Sequence, residues 1–149
     1  MSYTHAENVC KCFNGHLART DTRKQNGKIA LMAPMKNKIY LEMWIGYSDR
    51  IQTGRWIDSA GTPPRINNWG TSSTGGPLPD HQIRKIDGVT ETQHCAIINY
   101  RMRTLWDDDW CSKLHYSACQ THRTETHRFD YYQIHHFLLL LSCVFKGYK

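Results

Sequence analysis

Along the first thirteen residues, Tyr3, Ala6, Val9, Cys10 and Phe13 recur at helical spacing, with Ser2, or Thr4 and Glu7, placed to cap the start. The pattern predicts a short amphipathic helix over "SYTHAENVCKCF". A second apolar stripe, Ile29, Met32 and Met35, follows Thr22 and Gln25 at capping-box spacing and predicts another helix that Pro34 ends. Gly27 weakens that helix from within. From residue 39 the period changes: "IYLEMWIGY" (39–47) and "GRWID" (54–58) are rich in aromatic and β-branched residues and predict strands.

Between Asp58 and Cys95 the pattern dissolves, starting with "SAGTPPRINNWGTSSTGGPLPDHQ". A connection of that length inside a compact domain is normally functional or disordered, and Trp69 favours an anchored loop over a free one. Beyond it, "CAIINY" (95–100) predicts a buried strand, "LWDDDWC" (105–111) a strand running into a turn, and "HYSAC" (115–119) a short closing strand. Two helices, then strands, then a long loop pinned by cysteines make the fold class α+β.

Composition narrows the function classes. The chain has 149 residues, 40% of them apolar and 11% aromatic, enough for one domain with a real core. Six cysteines point to an oxidising compartment, although "MSYTHAENVC" carries no export-signal pattern. The net charge of +6 is scattered, with no basic block longer than "RK" and no nucleic-acid motif, so it reads as a solvated surface. The longest apolar run, "FLLLLSCVF" (137–145), is about half of the 20 or so residues that a spanning helix needs, and no transmembrane segment is expected.

Catalysis is not expected either. An acid–base pair needs carboxylates in distinct environments, and nothing in the sequence separates Asp107, Asp108 and Asp109. The nine histidines are spread along the chain and read as surface or hydrogen-bonded structural residues. No Ser or Cys sits in a nucleophile motif. Cys111, His115 and Cys119 have helix-like spacing for zinc but lack a Cys-x-x-Cys partner pair.

Several landmarks occur in order. "AENVCKCFNGHLA" resembles the first helix of C-type lectin-like domains with its cysteine and following Gly and Leu, and "WIGY" resembles that family's Trp-Ile-Gly-Leu core signature. "GRWID" and "INNW" resemble its Gly-x-Trp strand and loop tryptophan, "WDDDWC" its Trp-Asn-Asp-x-x-Cys segment, and "HYSAC" its closing strand. From Ser2 to Gln120 the chain therefore resembles a C-type lectin-like domain in which the family's first strand has no counterpart. The resemblance implies a disulfide-stabilised α+β fold with small antiparallel sheets and a long irregular loop. It pairs Cys10 with Cys119, and Cys95 with Cys111. Cys12 and Cys143 are left to pair with each other, to pair with another chain, or to stay free.

In this family sugar binds through a calcium ion held by the long loop and by the strand that precedes the last cysteines. The matching positions here are Leu78-Pro79-Asp80, where Leu replaces an oxygen ligand, then Gln93 in place of a Glu, then Asp107 and Asp108 in place of an Asn-Asp pair. The implied ligand and metal residues are Asp80, Gln93, Asp107 and Asp108, one ligand short of the family's set. The competing reading makes Asp107 to Asp109 a hydrated acidic turn, held in register by Trp106 in the core and Cys111 in its bridge. The implied function is non-catalytic recognition, either of a glycan or glycoprotein through a degraded, weak calcium site, or of a protein ligand without calcium, as in adhesion or receptor modules. Both place the protein outside the cell.

Residues 121–149 lie beyond the resemblance and are expected to form a poorly ordered extension. Without a first strand, however, "HYSAC" would present an open edge, and "FDYYQIHHFLLLL" has the aromatic and branched residues to pack on or beside it.

Overall fold

A computed structural model describes residues 1–36, 39–122 and 129–134. Helix α1 (Tyr3–Cys12) is capped by Ser2, whose hydroxyl accepts from the His5 amide, and it buries Tyr3, Ala6, Val9 and Cys10, the stripe read from the sequence. Helix α2 (Arg23–Ala30) is capped by Thr22, which accepts from the Gln25 amide and donates to the Gln25 side chain.

The second helix is shorter than its apolar stripe. Ile29 is fully buried, but the amides of Met32 and Ala33 turn back to Ile29 and Ala30, and Pro34 disfavours helical backbone at the residue before it. Met35 leaves the stripe altogether: it is exposed and belongs to β2 (Met35–Lys36), which pairs with β3 (Ile39–Tyr40).

The main sheet runs in the order β1 (Gly15–Leu17), β9 (Tyr116–His122), β4 (Met43–Ser48), β7 (Cys95–Asn99), β8 (Leu105–Asp109). Strand β4 is buried from Met43 to Tyr47, because alternate side chains enter two different cores. Trp44 packs with α1 residues Tyr3, Ala6 and Val9, while Met43, Ile45 and Tyr47 pack with Ile29 of α2, Ile98 and Trp106. Within "WIGY", Gly46 is required by close approach rather than by a turn: a Cβ there would collide with the Leu17 carbonyl, and its amide donates to the Ala18 carbonyl at 2.9 Å.

Two expected strands change form. "IYLEMWIGY" is interrupted after Tyr40 and resumes at Met43. "GRWID" is not a strand; it touches the sheet only through an isolated bridge, in which Ser48 and Ile57 exchange both backbone hydrogen bonds at 2.9 and 3.0 Å. The long loop in turn holds structure that the sequence reading missed. Strands β5 (Ile83–Ile86) and β6 (Val89–Thr92) form a hairpin whose turn residues Asp87 and Gly88 both have positive φ, the Asp-Gly signature of a tight hairpin.

Cys10 is bridged to Cys119 and Cys95 to Cys111, with Cα separations of 5.4 and 5.3 Å. Both pairings are those the family resemblance implies, and they remove Cys111 and Cys119 as zinc ligands. Cys12 is also disulfide-bonded, and Cys143 lies outside the described residues. Among the described residues no helix is long and apolar enough to cross a membrane.

Strand β10 (Phe129–Ile134) runs antiparallel to β9, from Phe129 opposite His122 to Ile134 opposite Ser117. It therefore occupies the strand edge that the sequence leaves open. A double change of Tyr131→Pro and Tyr132→Pro removes whichever of these two adjacent amides faces β9 while keeping the chain length. The variant is expected to lose soluble monomer on size-exclusion chromatography and to unfold several degrees lower; unchanged yield and midpoint would show that β10 protects nothing.

Candidate ligand-binding site

Three successive carboxylates on β8 do three different things. Asp108, only 1% exposed, accepts the backbone amides of Asp80 at 3.0 Å and His81 at 2.8 Å, one on each oxygen. Asp109, also buried, lies 2.7 Å from His115 Nε2 and 2.8 Å from Lys113 Nζ. Asp107 is partly exposed and accepts from Asn99 Nδ2 at 2.9 Å. All three belong to strand β8, and Asp108 and Asp109 are buried, so these residues do not form the hydrated acidic turn that the sequence allowed.

Their acidities differ accordingly. Burial pushes Asp107 up to about 6, with the charges of Asp108 and Asp109 adding to it and the Asn99 amide opposing. Burial also raises Asp108, tempered by the His81 and Asp80 amides. For Asp109, burial works upward but the His115 and Lys113 partners prevail and hold it below the usual carboxylate range.

The long loop is tied to β8 at two levels. The Trp106 amide donates to Asn68 O at 2.8 Å, and Gly70 N donates to Trp106 O at 2.9 Å. The Trp69 ring lies 4.6 Å from Trp56 and 5.6 Å from Trp106. Trp106 also donates its indole N–H to Asn26 of α2 at 2.8 Å, so one buried tryptophan joins helix, sheet and loop. Further along, a cis Leu78–Pro79 bond precedes Asp80, and Gln82 Nε2 donates to Asp80 Oδ2 at 2.9 Å. Gln93 Oε1 accepts the Gln82 amide at 2.9 Å.

The result is one open cavity of about 440 Å³, with Asp80, Gln93, Asp107 and Asp108 among its lining together with Leu78 and Asn99. All four residues that the family pattern marks are thus brought to one place. Asp80 Oδ1 is buried there without a hydrogen-bond partner. An all-oxygen set with an orphaned carboxylate oxygen fits a hard divalent cation such as calcium. The fit is partial: Leu78 supplies no ligand, and Gln93 and Asp108 already use their oxygens on loop amides.

Sequence reading missed a second cluster beside the cavity. Asp49, His81 and His94 place one potential ligand atom each within 4.8 Å of one another. No local pattern joins the three; the one hint is that His81 follows Asp80 and His94 follows Gln93. Trp110, flanked by Arg84 at 4.5 Å and Lys113 at 4.6 Å over its ring, lines the same cavity.

The chain matches the Lectin C-type domain family over residues 1–121. It belongs to that family. This lectin domain is 24% identical over 127 residues to asialoglycoprotein receptor 2 of Rattus norvegicus, a match covering 85% of the chain and 38% of the receptor. It thus spans well under two thirds of that relative. Among solved structures, it superposes on the mouse scavenger receptor C-type lectin carbohydrate-recognition domain with a TM-score of 0.65 at 20% identity, covering 84% of each chain. A calcium-independent type II antifreeze protein matches with a TM-score of 0.58 at 24% identity, covering 80% of this chain and 77% of that one. Likeness at this level carries the fold, and C-type lectin domains are generally non-catalytic binding modules.

Two outcomes are expected for the carboxylates. Asp108→Ala leaves the Asp80 and His81 amides without acceptors and is expected to cost about 3 kcal/mol in urea unfolding, with faster tryptic cleavage at Arg84 and Lys85. Asp107 carries the opposite sign. Its folded-state value lies above the ordinary 3.8, so its contribution is fully present below about pH 4 and is lost as pH rises through 6. In chelator, Asp107→Asn should therefore raise stability at pH 7.5 by about 1 kcal/mol, after discounting for solvent exposure, and change little at pH 4. An equal effect at both pH values would contradict the assignment.

Proposed function

We propose that this lectin domain recognises a carbohydrate outside the cell through a weak calcium site made of Asp80, Gln93, Asp107 and Asp108. The observation that carries this reading is the convergence of those side chains on one open cavity in which Asp80 Oδ1 has no partner. Calcium takes six to eight oxygens, and a bound ion would offer its remaining positions to a pair of sugar hydroxyls. Asp80 and Asp107 are the carboxylates available to hold it, since Asp108 also fastens the loop. Asn99 and Gln82 stand beside them as hydrogen-bond donors for the same hydroxyls. With Leu78 in a ligand position, the affinity falls to the weak end of extracellular sites, about 1 mM. The rat receptor's name supports a glycoprotein ligand by analogy.

One observation favours a second reading. Ile86 and Val89, paired across the β5–β6 hairpin, are 47 and 67% exposed, a small apolar contact suited to a protein partner and independent of calcium, with Ile83 exposed on the opposite face.

Calcium titration of the oxidised protein, followed by a glycan array with and without chelator, separates the two. Glycan binding that disappears in chelator and falls at least about tenfold in Asp80→Ala is the expected result. Glycan binding that survives chelation would remove calcium from the mechanism. No glycan binding at all would leave the hairpin and a protein ligand as the better reading.

A further inference from the structure

Asp49, which follows β4, is fully buried, with a carboxylate facing two imidazoles. Its Oδ2 lies 2.7 Å from His81 Nε2 and its Oδ1 lies 2.8 Å from His94 Nδ1. The three residues come from separate segments, and each is fixed by contacts of its own. The Asp49 amide donates to the His94 carbonyl at 3.1 Å, and Gly54 N donates to Asp49 Oδ2 at 2.7 Å. The His81 backbone is held by Asp108, and its ring lies 5.9 Å from Trp56. The His94 amide donates to Asp109 O at 3.3 Å. The histidine side chains are 23 and 26% exposed, so the cluster is open to solvent on one side.

We propose that Asp49, His81 and His94 form a binding site for a borderline divalent transition metal of the zinc class, distinct from the oxygen-lined cavity. Two imidazole nitrogens and one carboxylate oxygen are the donor set that zinc accepts, and three protein ligands leave a fourth, tetrahedral position for water on the exposed side. Calcium is disfavoured because two of the three donors are nitrogen. To take a metal, each imidazole presents a nitrogen without hydrogen, so an N–H now facing Asp49 moves to the other ring nitrogen as the tautomer switches, and no oxidation state changes. Ligand atoms on one tetrahedral zinc stand about 3.3 Å apart, and the three candidate atoms lie within 4.8 Å of one another, so the short contact made by the ligating Asp49 oxygen opens by roughly half an ångström. The hydrogen bond from Gly54 to the carboxylate supplies the outer support that such ligands need. Bound metal would clip the middle and the far end of the long loop to the residue after β4.

The test uses the full, oxidised chain stripped with chelator and titrated with zinc chloride, and with cobalt chloride as a spectroscopic probe. Expected are roughly micromolar zinc affinity, a tetrahedral cobalt absorption band, and no competition from millimolar calcium. His81→Asn and His94→Gln, which leave the backbone contacts of both residues in place, should each weaken zinc at least about tenfold and abolish the cobalt band. Undiminished zinc affinity in both variants would place the metal on other histidines and overturn the proposal. So would the lack of zinc binding by the unaltered chain. Should either variant fold poorly, NMR of the unaltered chain decides: cobalt should broaden the ring protons of His81 and His94 first, and broadening that spares both overturns the proposal.

Discussion

Both candidate sites depend on the Asp108 carboxylate. It sits on the edge strand of the sheet, is withdrawn from water, and accepts two consecutive backbone amides from the far side of the long loop. A buried carboxylate is costly unless donors surround it, and buried amides are costly without acceptors; here each reduces the other's penalty. The consequence is positional. Fixing the amides of residues 80 and 81 fixes where their side chains leave the backbone, and those side chains are the loop's contribution to the oxygen-lined cavity and to the histidine cluster. In this strand, then, a residue that looks like a ligand is also the fastener that makes ligands of others.

That fastener works because the strand beneath it cannot move. Trp106, two residues earlier, is fully buried between Tyr47 and Trp69 and hydrogen-bonds to α2, while Cys111, two residues beyond Asp109, is bridged to the start of β7. The aromatic contacts, the disulfide and the five-residue pairing of β7 with β8 hold Asp107, Asp108 and Asp109 at fixed depths in the structure. Depth then separates their chemistry. Asp109 is paired with Lys113 and His115, Asp108 is held by two amides, and Asp107, which accepts from the neutral Asn99 side chain, is the carboxylate left to respond to its surroundings.

The parts of this architecture legible in the sequence are those written in short-range periodicity. The α1 stripe and the caps at Ser2 and Thr22 can be read directly, since capping and burial both act within one or two turns. The "WIGY" strand is equally plain because both of its faces are buried. Where tertiary context intervenes, the pattern misleads. Met35 continues a helical stripe but lies beyond the turn that ends α2, and "GRWID" has strand composition but finds one bridge partner and no ladder. The hairpin at Asp87–Gly88 was legible from its turn dipeptide and was hidden by its polar, charged strands. The oxygen set was found through family order, whereas nothing in local pattern brings Asp49 together with His81 and His94.

The two clusters nevertheless share a simple origin in adjacency along the backbone. His81 has a left-handed backbone, φ +50°, and each histidine directly follows a residue that lines the cavity. At residues 80 and 81, Asp80 faces the cavity while His81 faces Asp49; at residues 93 and 94, Gln93 lines the cavity while His94 faces Asp49. The same two short stretches, locked to each other by the paired Gln82 and Gln93 contacts, therefore present hard oxygen donors on one side and imidazole nitrogens on the other. A cation bound on either side would stiffen the backbone that presents the other set, since the loop ordering needed by one is ordering already done for the second. Coupling of this kind would require no change of shape, only that the Asp108 anchor hold, and it would make the long loop a single mechanical unit under both clusters.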